Sequence, residues 1–287
     1  HPVAHSFPTR RSSDLFTEDI LLSFVGIMNE EKNRPLILVT NDDGITAGGI
    51  RSLIEVAKEF GDVWVVAPDG PQSGMGHAIT VHNILRLHEV KDVEGVKELS
   101  CTGTPVDCVK LAIYRVLKRR PDLLLSGINH GANYSINVIY SGTMSAAVEG
   151  AVEGIPSIGF SLLDHSPDAD FTASKEVVRK VVKNALENGI PEHACLNVNI
   201  PNVSWEEIKG IRVCRQAKAF WEDDFQPRKD PSGKIYYWIT GKFVNHDTGD
   251  DTDVWALENN YVSVVPVHYD LTAHHALAEL NQWNYET

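Results

Sequence analysis

Two adjacent carboxylates, Asp42 and Asp43, sit in the turn Asn41-Asp-Asp-Gly44, directly after the short apolar run of residues 36–39. Adjacent acids repel and are costly to hold together without a cation, so a hard metal ion is the natural third party. Two other loops offer oxygen ligands of the same kind. The Gly- and Pro-rich stretch Pro68-Asp-Gly-Pro-Gln-Ser-Gly74 carries Ser73, and Gly127-Ile-Asn-His-Gly-Ala-Asn133 carries Asn129. Two carboxylates, a hydroxyl and an amide carbonyl form an all-oxygen set that suits Mg²⁺, Mn²⁺ or Ca²⁺ and not zinc or copper. Asn-Asp-Asp-Gly is also good turn chemistry in its own right, so that stretch alone carries either reading. Ser141-Gly-Thr143 opens a small-residue helical segment, where free N–H groups and hydroxyls make a phosphate cradle. The same three residues equally make an ordinary helix cap. Asn41 adds a donor beside the acid pair. His77 and His130 lie on the loops of Ser73 and Asn129, and either could assist a proton transfer, as could Asp42 or Asp43.

The elements that must position these groups follow from hydrophobic period. Residues 36–39, 62–67, 121–126 and 156–161 read as buried strands. The first three end in the loops just described, at the carboxyl edge where open α/β sheets bind ligands. Between them, residues 50–60 read at helical period. Thr104-Pro-Val-Asp107 is a helix start, with Thr as N-cap and Pro at the first helical position, leading through residue 117. A small-residue helix follows Gly142, and residues 174–188 form an amphipathic helix ended by Gly189 and Pro191. Strand–helix alternation predicts an α/β fold, a Rossmann-like, mostly parallel sheet with right-handed crossovers. Residues 79–90 alternate roughly as a further strand.

Beyond residue 190 the pattern changes. Residues 195–200, 211–216, 234–242 and 261–267 read as strands, residues 252–259 as a short helix and 276–283 as a terminal one. Phe220, Trp221, Phe225, Tyr236, Tyr237 and Trp238 cluster in what reads as an antiparallel hairpin outside the main sheet, a candidate partner surface. The expected organisation is a non-native or disordered leader over 1–33, with Met28 as the start. A Rossmann-like core carrying the metal site spans 34–190, and 191–287 completes the sheet and adds the hairpin extension.

The 287 residues are 43% hydrophobic with a formal charge of −13, enough chain for a substantial core. The acidic balance argues against a protein that coats a nucleic acid polymer, which would show a basic face. It leaves room for a small anionic ligand, because one metal ion reverses the field inside a cleft. Cys101, Cys108, Cys195 and Cys214 show no CxxC pairing, which predicts buried thiols in a reducing, cytoplasmic setting. No run of about 18 apolar residues suggests a membrane span.

Four separate segments, Leu38-Val-Thr-Asn-Asp-Asp-Gly-Ile45, Ala67-Pro-Asp-Gly-Pro-Gln-Ser-Gly74, Ser126-Gly-Ile-Asn-His-Gly-Ala-Asn133 and Tyr140-Ser-Gly-Thr143, together resemble the SurE family of survival-protein nucleotidases. Tyr261-Val-Ser-Val-Val-Pro266 matches a weaker family segment, so the resemblance runs from about residue 34 to about 270. It implies one divalent cation, Mg²⁺ or Mn²⁺, held by Asp42, Asp43, Ser73 and Asn129, with no ligand missing. It implies hydrolysis of nucleoside 5′-monophosphates, often 3′-nucleotides and in some members short polyphosphate. It also implies a homodimer with exchanged C-terminal segments, sometimes paired into a tetramer. On this reading Asn41, Ser141, Gly142 and Thr143 bind the phosphate opposite the metal.

Rivals fail on spacing. A haloacid-dehalogenase-type phosphatase places its two acids two positions apart after strand one, whereas Asp42 and Asp43 are adjacent and Gly44 follows. A dinucleotide-binding dehydrogenase wants G-x-G-x-x-G there, and Gly44, Gly48 and Gly49 do not fit it. A non-catalytic metal- or nucleotide-binding module shares the same residues and stays open at this level.

Overall fold

In the computed structural model, which describes residues 34–93 and 95–285, strand β1 (Leu36–Thr40) is buried at every position and lies inside the sheet. Burial on both faces explains why its sequence is a continuous apolar run instead of an alternating one. Ile37 and Val39 pack on one side with helix α1 (Gly48–Phe60), while Leu38 packs on the other. Strand β2 (Asp62–Pro68) pairs parallel to β1. Strands β3 (Leu87–Val93) and β4 (Val96–Cys101) form an antiparallel pair that extends the sheet beyond β2. Helix α2 (Pro105–Leu111) starts on a reciprocal cap. The Thr104 hydroxyl accepts from Asp107 N–H, and the Asp107 carboxylate accepts from Thr104 N–H. A π-helical turn over Ala112–Val116 completes it.

Strand β5 (Leu123–His130) lies parallel on the other edge of β1. The chain continues through α3 (Gly142–Val152), β6 (Ser157–Leu162), α4 (Thr172–Asn188) and β7 (Ala194–Ile200). Then come β8 (Gly210–Val213), β9 (Ala219–Lys229), β10 (Ile235–Asn245), α5 (Asp253–Glu258), β11 (Tyr261–His268) and the single turn α6 (Leu277–Leu280). Among the described residues nine strands form one sheet in the order β3-β4-β2-β1-β5-β6-β7-β11-β8. Pairing from β4 to β7 is parallel, and β3 and β11 are antiparallel to their inner neighbours. Helices α1 and α4 supply one apolar layer and α2 and α3 the other. The architecture is therefore the expected α/β fold with a mostly parallel sheet. Strands β9 and β10 pair only with each other, as the separate antiparallel hairpin that the aromatic cluster predicts.

Several local expectations change. The strand anticipated over 79–90 begins only at Leu87, because Thr80 gives its backbone N–H and hydroxyl to Asp107 and Ala78 gives its carbonyl to Thr104. Hydrogen bonds to α2 replace a ladder, and Val81 and Ile84 stand 68% and 72% exposed. Strand β4 had no clear pattern in sequence because it is only partly buried. The expected leader, residues 1–33, lies outside the described residues.

α1 and β5 approach so closely that a Cβ on Gly49 would sit 1.9 Å from the carbonyl oxygen of Ile128. Gly49→Ala is accordingly expected to destabilise the fold by about 1–3 kcal/mol, since backbone has to move to admit the methyl group. Urea denaturation checks this, and an unchanged midpoint would contradict the packing described.

Candidate active site

The strand order reverses between β1 and β5: the chain leaves β1 for β2 on one side and returns to β5 on the other. The crevice at the carboxyl ends of two such strands is where a doubly wound sheet takes ligands. Here Asp43, just past β1, meets His130 at the end of β5. The His130 backbone N–H donates to Asp43 Oδ2 at 3.1 Å, and His130 Nδ1 lies 3.0 Å from the same oxygen. The imidazole is steadied edge-on against Phe171, with centroids 5.1 Å apart.

Asp42 is buried and turns to α3. Its Oδ1 accepts from the Thr143 hydroxyl at 2.5 Å, and the Thr143 backbone N–H bonds to the same carboxyl group. A Cβ on Gly142 would lie 2.6 Å from Asp42 Cβ, so only glycine allows the start of the helix to come down on the carboxylate. Ser141 caps the helix, its hydroxyl accepting from Met144 N–H at 3.0 Å. That leaves its own proton free for an acceptor. Burial pushes the Asp42 carboxyl up to about 6, and the neighbouring Asp43 charge adds to it, against the lowering bonds from Thr143.

The third loop is stitched to the same rim. Gln72 N–H donates to the Asp42 carbonyl at 2.7 Å and Gly76 N–H to the Tyr140 carbonyl at 3.3 Å, with exposed Ser73 between them. Asn129 donates its amide N–H to the carbonyls of Gly131 and His130 at 2.7 and 3.3 Å. Carbonyls only accept, so the amide orientation is set and Oδ1 is the end left for a cation. Asn41 closes its own turn, Nδ2 donating to Gly44 O at 2.9 Å, while its Oδ1 is buried without a hydrogen-bond partner.

The donor chemistry fits a hard divalent cation. The rim presents two adjoining carboxylates, one of them buried, with a free amide oxygen and a hydroxyl on neighbouring loops. An orphaned buried oxygen on Asn41 lies beside them. Among the described residues no three His, Cys, Asp or Glu side chains converge as a metal cluster. A cation here would therefore complete its shell with neutral oxygens and water, as Mg²⁺-type ions do.

Of the residues singled out in sequence, Asp42, Gly142 and Thr143 touch, and Asp43 touches His130. Ser73 and Asn129 touch neither acid; each is next in sequence to a residue, Gln72 and His130, whose backbone N–H bonds to Asp42 or Asp43. Thr143 gives its hydroxyl proton to Asp42 and so holds that carboxylate. His77 goes elsewhere, its Nε2 lying 2.8 Å from Glu149 Oε2 on α3, where Lys110 bonds the other oxygen. Burial works against the Glu149 charge, but these two partners outweigh it and hold the carboxyl below its ordinary value.

Sequence reasoning passed over Glu149 and a buried amide ladder. Asn133 N–H donates to Asn199 Oδ1 at 2.7 Å, Asn199 Nδ2 to Asn197 Oδ1 at 2.9 Å and Asn197 Nδ2 back to Asn133 O at 2.8 Å. The signals were present: Glu149 is the acid in an otherwise small and apolar helix, and Asn197 and Asn199 recur at period two in an apolar strand.

The family model described as "Survival protein SurE" matches residues 37–223. A protein of Flavobacterium psychrophilum named 5′-nucleotidase SurE is 60% identical over 253 residues, covering 88% of this chain and 98% of its own. One of the same name from Christiangramia forsetii is 62% identical over 255 residues, with the same coverage. The crystal structure of the SurE protein from Aquifex aeolicus superposes with a TM-score of 0.75 at 42% identity, covering 86% of this chain and 98% of that one.

Raising the Asp42 pKa from 3.8 to about 6 corresponds to about 3 kcal/mol at 1.36 kcal/mol per decade. The folded protein holds this proton more tightly than the unfolded chain. With chelator present, stability is therefore lost as pH rises from about 4 through 6. Asp42→Asn should remove that loss, and Mn²⁺ should raise the melting temperature of the parent chain increasingly above pH 6 but leave Asp42→Asn nearly unmoved. Identical melting profiles for the two proteins would sink this account.

Proposed function

The chain belongs to the SurE family, and from that premise we propose that it is a divalent-metal-dependent 5′-nucleotidase, releasing phosphate from nucleoside 5′-monophosphates. The single observation that carries the reading is the meeting of the buried acid of the pair with the start of a helix, Asp42 beneath Gly142 and Thr143. The binding-only alternative is not favoured, since the curated relatives are named as nucleotidases.

Asp42, Asp43, Ser73 and Asn129 would hold one cation, Mg²⁺ or Mn²⁺. When bound, it neutralises phosphoryl charge and lowers the pKa of a water. The chain does the rest. The Ser141 hydroxyl proton and the Gly142 N–H, at the positive end of α3, orient the phosphate. Thr143 fixes Asp42, and His130 fixes Asp43, so neither carboxylate has to reorganise as charge develops. Asn41 serves by closing the turn that carries both acids, with one further N–H left for a phosphate oxygen.

The substrate is a small nucleotide, and 3′-nucleotides and short polyphosphate present the same phosphoryl chemistry to the rim. The assembly is a homodimer, or a tetramer built from it, through C-terminal segments. Its support is the aromatic hairpin, where Phe225, Tyr237 and Trp238 are exposed. Light scattering should give at least twice the chain mass, and a monomer at micromolar concentration would contradict it.

Phosphate release from nucleoside monophosphates should require added Mn²⁺ or Mg²⁺ and stop with chelator. Asp43→Ala should lower kcat/KM by at least about 100-fold, a loss typical of removing one electrostatic catalytic group. Turnover that survives chelation, or an active Asp43→Ala protein, would overturn the proposal.

A further inference from the structure

Tyr140 stands immediately before the Ser141 cap, so whatever occupies the cradle at Gly142 lies next to it. It is 54% exposed, and its backbone is fixed on both sides. Its N–H donates to Asn137 O at 3.0 Å, and its carbonyl accepts from Gly76 N–H in the Ser73 loop. Across from it comes the hairpin. Trp221 on β9 is pinned by an indole N–H bond to Asn137 Oδ1 at 2.7 Å and by an edge contact to Phe243, with centroids 5.7 Å apart. The indole is nevertheless 43% exposed. Tyr140 and Trp221 line one cavity of about 450 Å³, closed by Ile239, Thr240 and Gly241 of β10 and bordered by the carboxylate of Asp223.

An exposed aromatic ring held by a hydrogen bond and a neighbouring ring has already lost its rotamer freedom, so it binds a flat ligand at little further entropic cost. Trp221 is such a ring, and Tyr140, on a fixed backbone next in sequence to the cradle, faces the same cavity; together they suit a planar heterocycle joined to a phosphate through a sugar. We infer that the cavity between Tyr140 and the hairpin is the nucleoside subsite, with the base stacked on Tyr140 and Trp221 and Asp223 accepting N–H donors from its edge. The assignment rests on the nucleotidase reading and adds to it where the base is held and by which residues. It also makes the hairpin part of the substrate site of its own chain.

The test compares AMP, GMP, CMP and UMP with ribose 5-phosphate, which keeps the ester and lacks the base. Tyr140→Ala and Trp221→Ala should each raise KM for the nucleotides about 10-fold or more with kcat little changed, the size expected for losing one stacked base. Ribose 5-phosphate should not share that rise, and Trp221→Phe should restore nucleotide KM by restoring a ring. An equal shift for ribose 5-phosphate, or unchanged nucleotide KM in both alanine variants, overturns the subsite. If the parent chain hydrolyses none of these esters, the nucleotidase reading fails by itself. Calorimetric titration of AMP with Mn²⁺ then decides the subsite: weakened binding in Tyr140→Ala and Trp221→Ala but not Trp221→Phe supports it, and equal binding in all four proteins overturns it.

Discussion

The buried carboxylate of Asp42, seated at the start of α3, is the contact on which the rest of the rim depends. Taking a carboxylate out of water costs several kcal/mol unless bonds and charges replace its hydration. Thr143 supplies a hydroxyl and a backbone N–H, and the positive end of the helix adds to them. Burial and the neighbouring Asp43 still prevail, and the group is left favouring a proton. A site in that state favours positive charge, which the proposed cation would supply. The same contact dictates Gly142, because any side chain there would occupy the space of the carboxylate.

Around this contact the molecule is stiff where it must be. β1 and β5 are parallel neighbours in the buried middle of the sheet, so the loops that leave them cannot drift apart. His130 bridges them through Asp43. Behind the β5 loop, Asn133, Asn197 and Asn199 form a closed set of buried amide bonds, a costly arrangement unless complete and a rigid one once complete. Below the Ser73 loop, Glu149 gathers His77 and Lys110 and ties that loop to the helix whose first turn meets Asp42. One helix thus caps the acid at one end and anchors the loop of the third donor along its length.

An acidic chain with charge −13 has to attract an anionic substrate. On the proposed reading the field that matters is local: a cation held by the acid pair, the first N–H groups of α3 and an aromatic wall bordered by Asp223. The hairpin belongs to this picture. Outside the main sheet it buries little of itself, yet Trp221 is locked to Asn137 and Tyr134 packs edge-on against Phe243, so the strands leave the core along a defined line. Exposed aromatic surface in that place is consistent with contact to other molecules, substrate or second subunit.

Much of this was legible in residue order, because period and turn chemistry act over a few residues. The apolar run of β1, the helical spacing of α1 and the Thr-Pro-Val-Asp start of α2 each declare themselves locally. The three loops with their oxygen donors follow from strand ends. Residues 79–86 misled because their alternation is real but the hydrogen bonds of Thr80 and of the adjoining Ala78 go to α2 and its cap. What only the tertiary structure decided is who bonds to whom across the sheet: Thr143 to Asp42 over a separation of 101 residues, His77 to Glu149 instead of the acid pair, Trp221 to Asn137. Those choices depend on strand order and on the depth to which each group is buried. Neither is a property of any short stretch of chain.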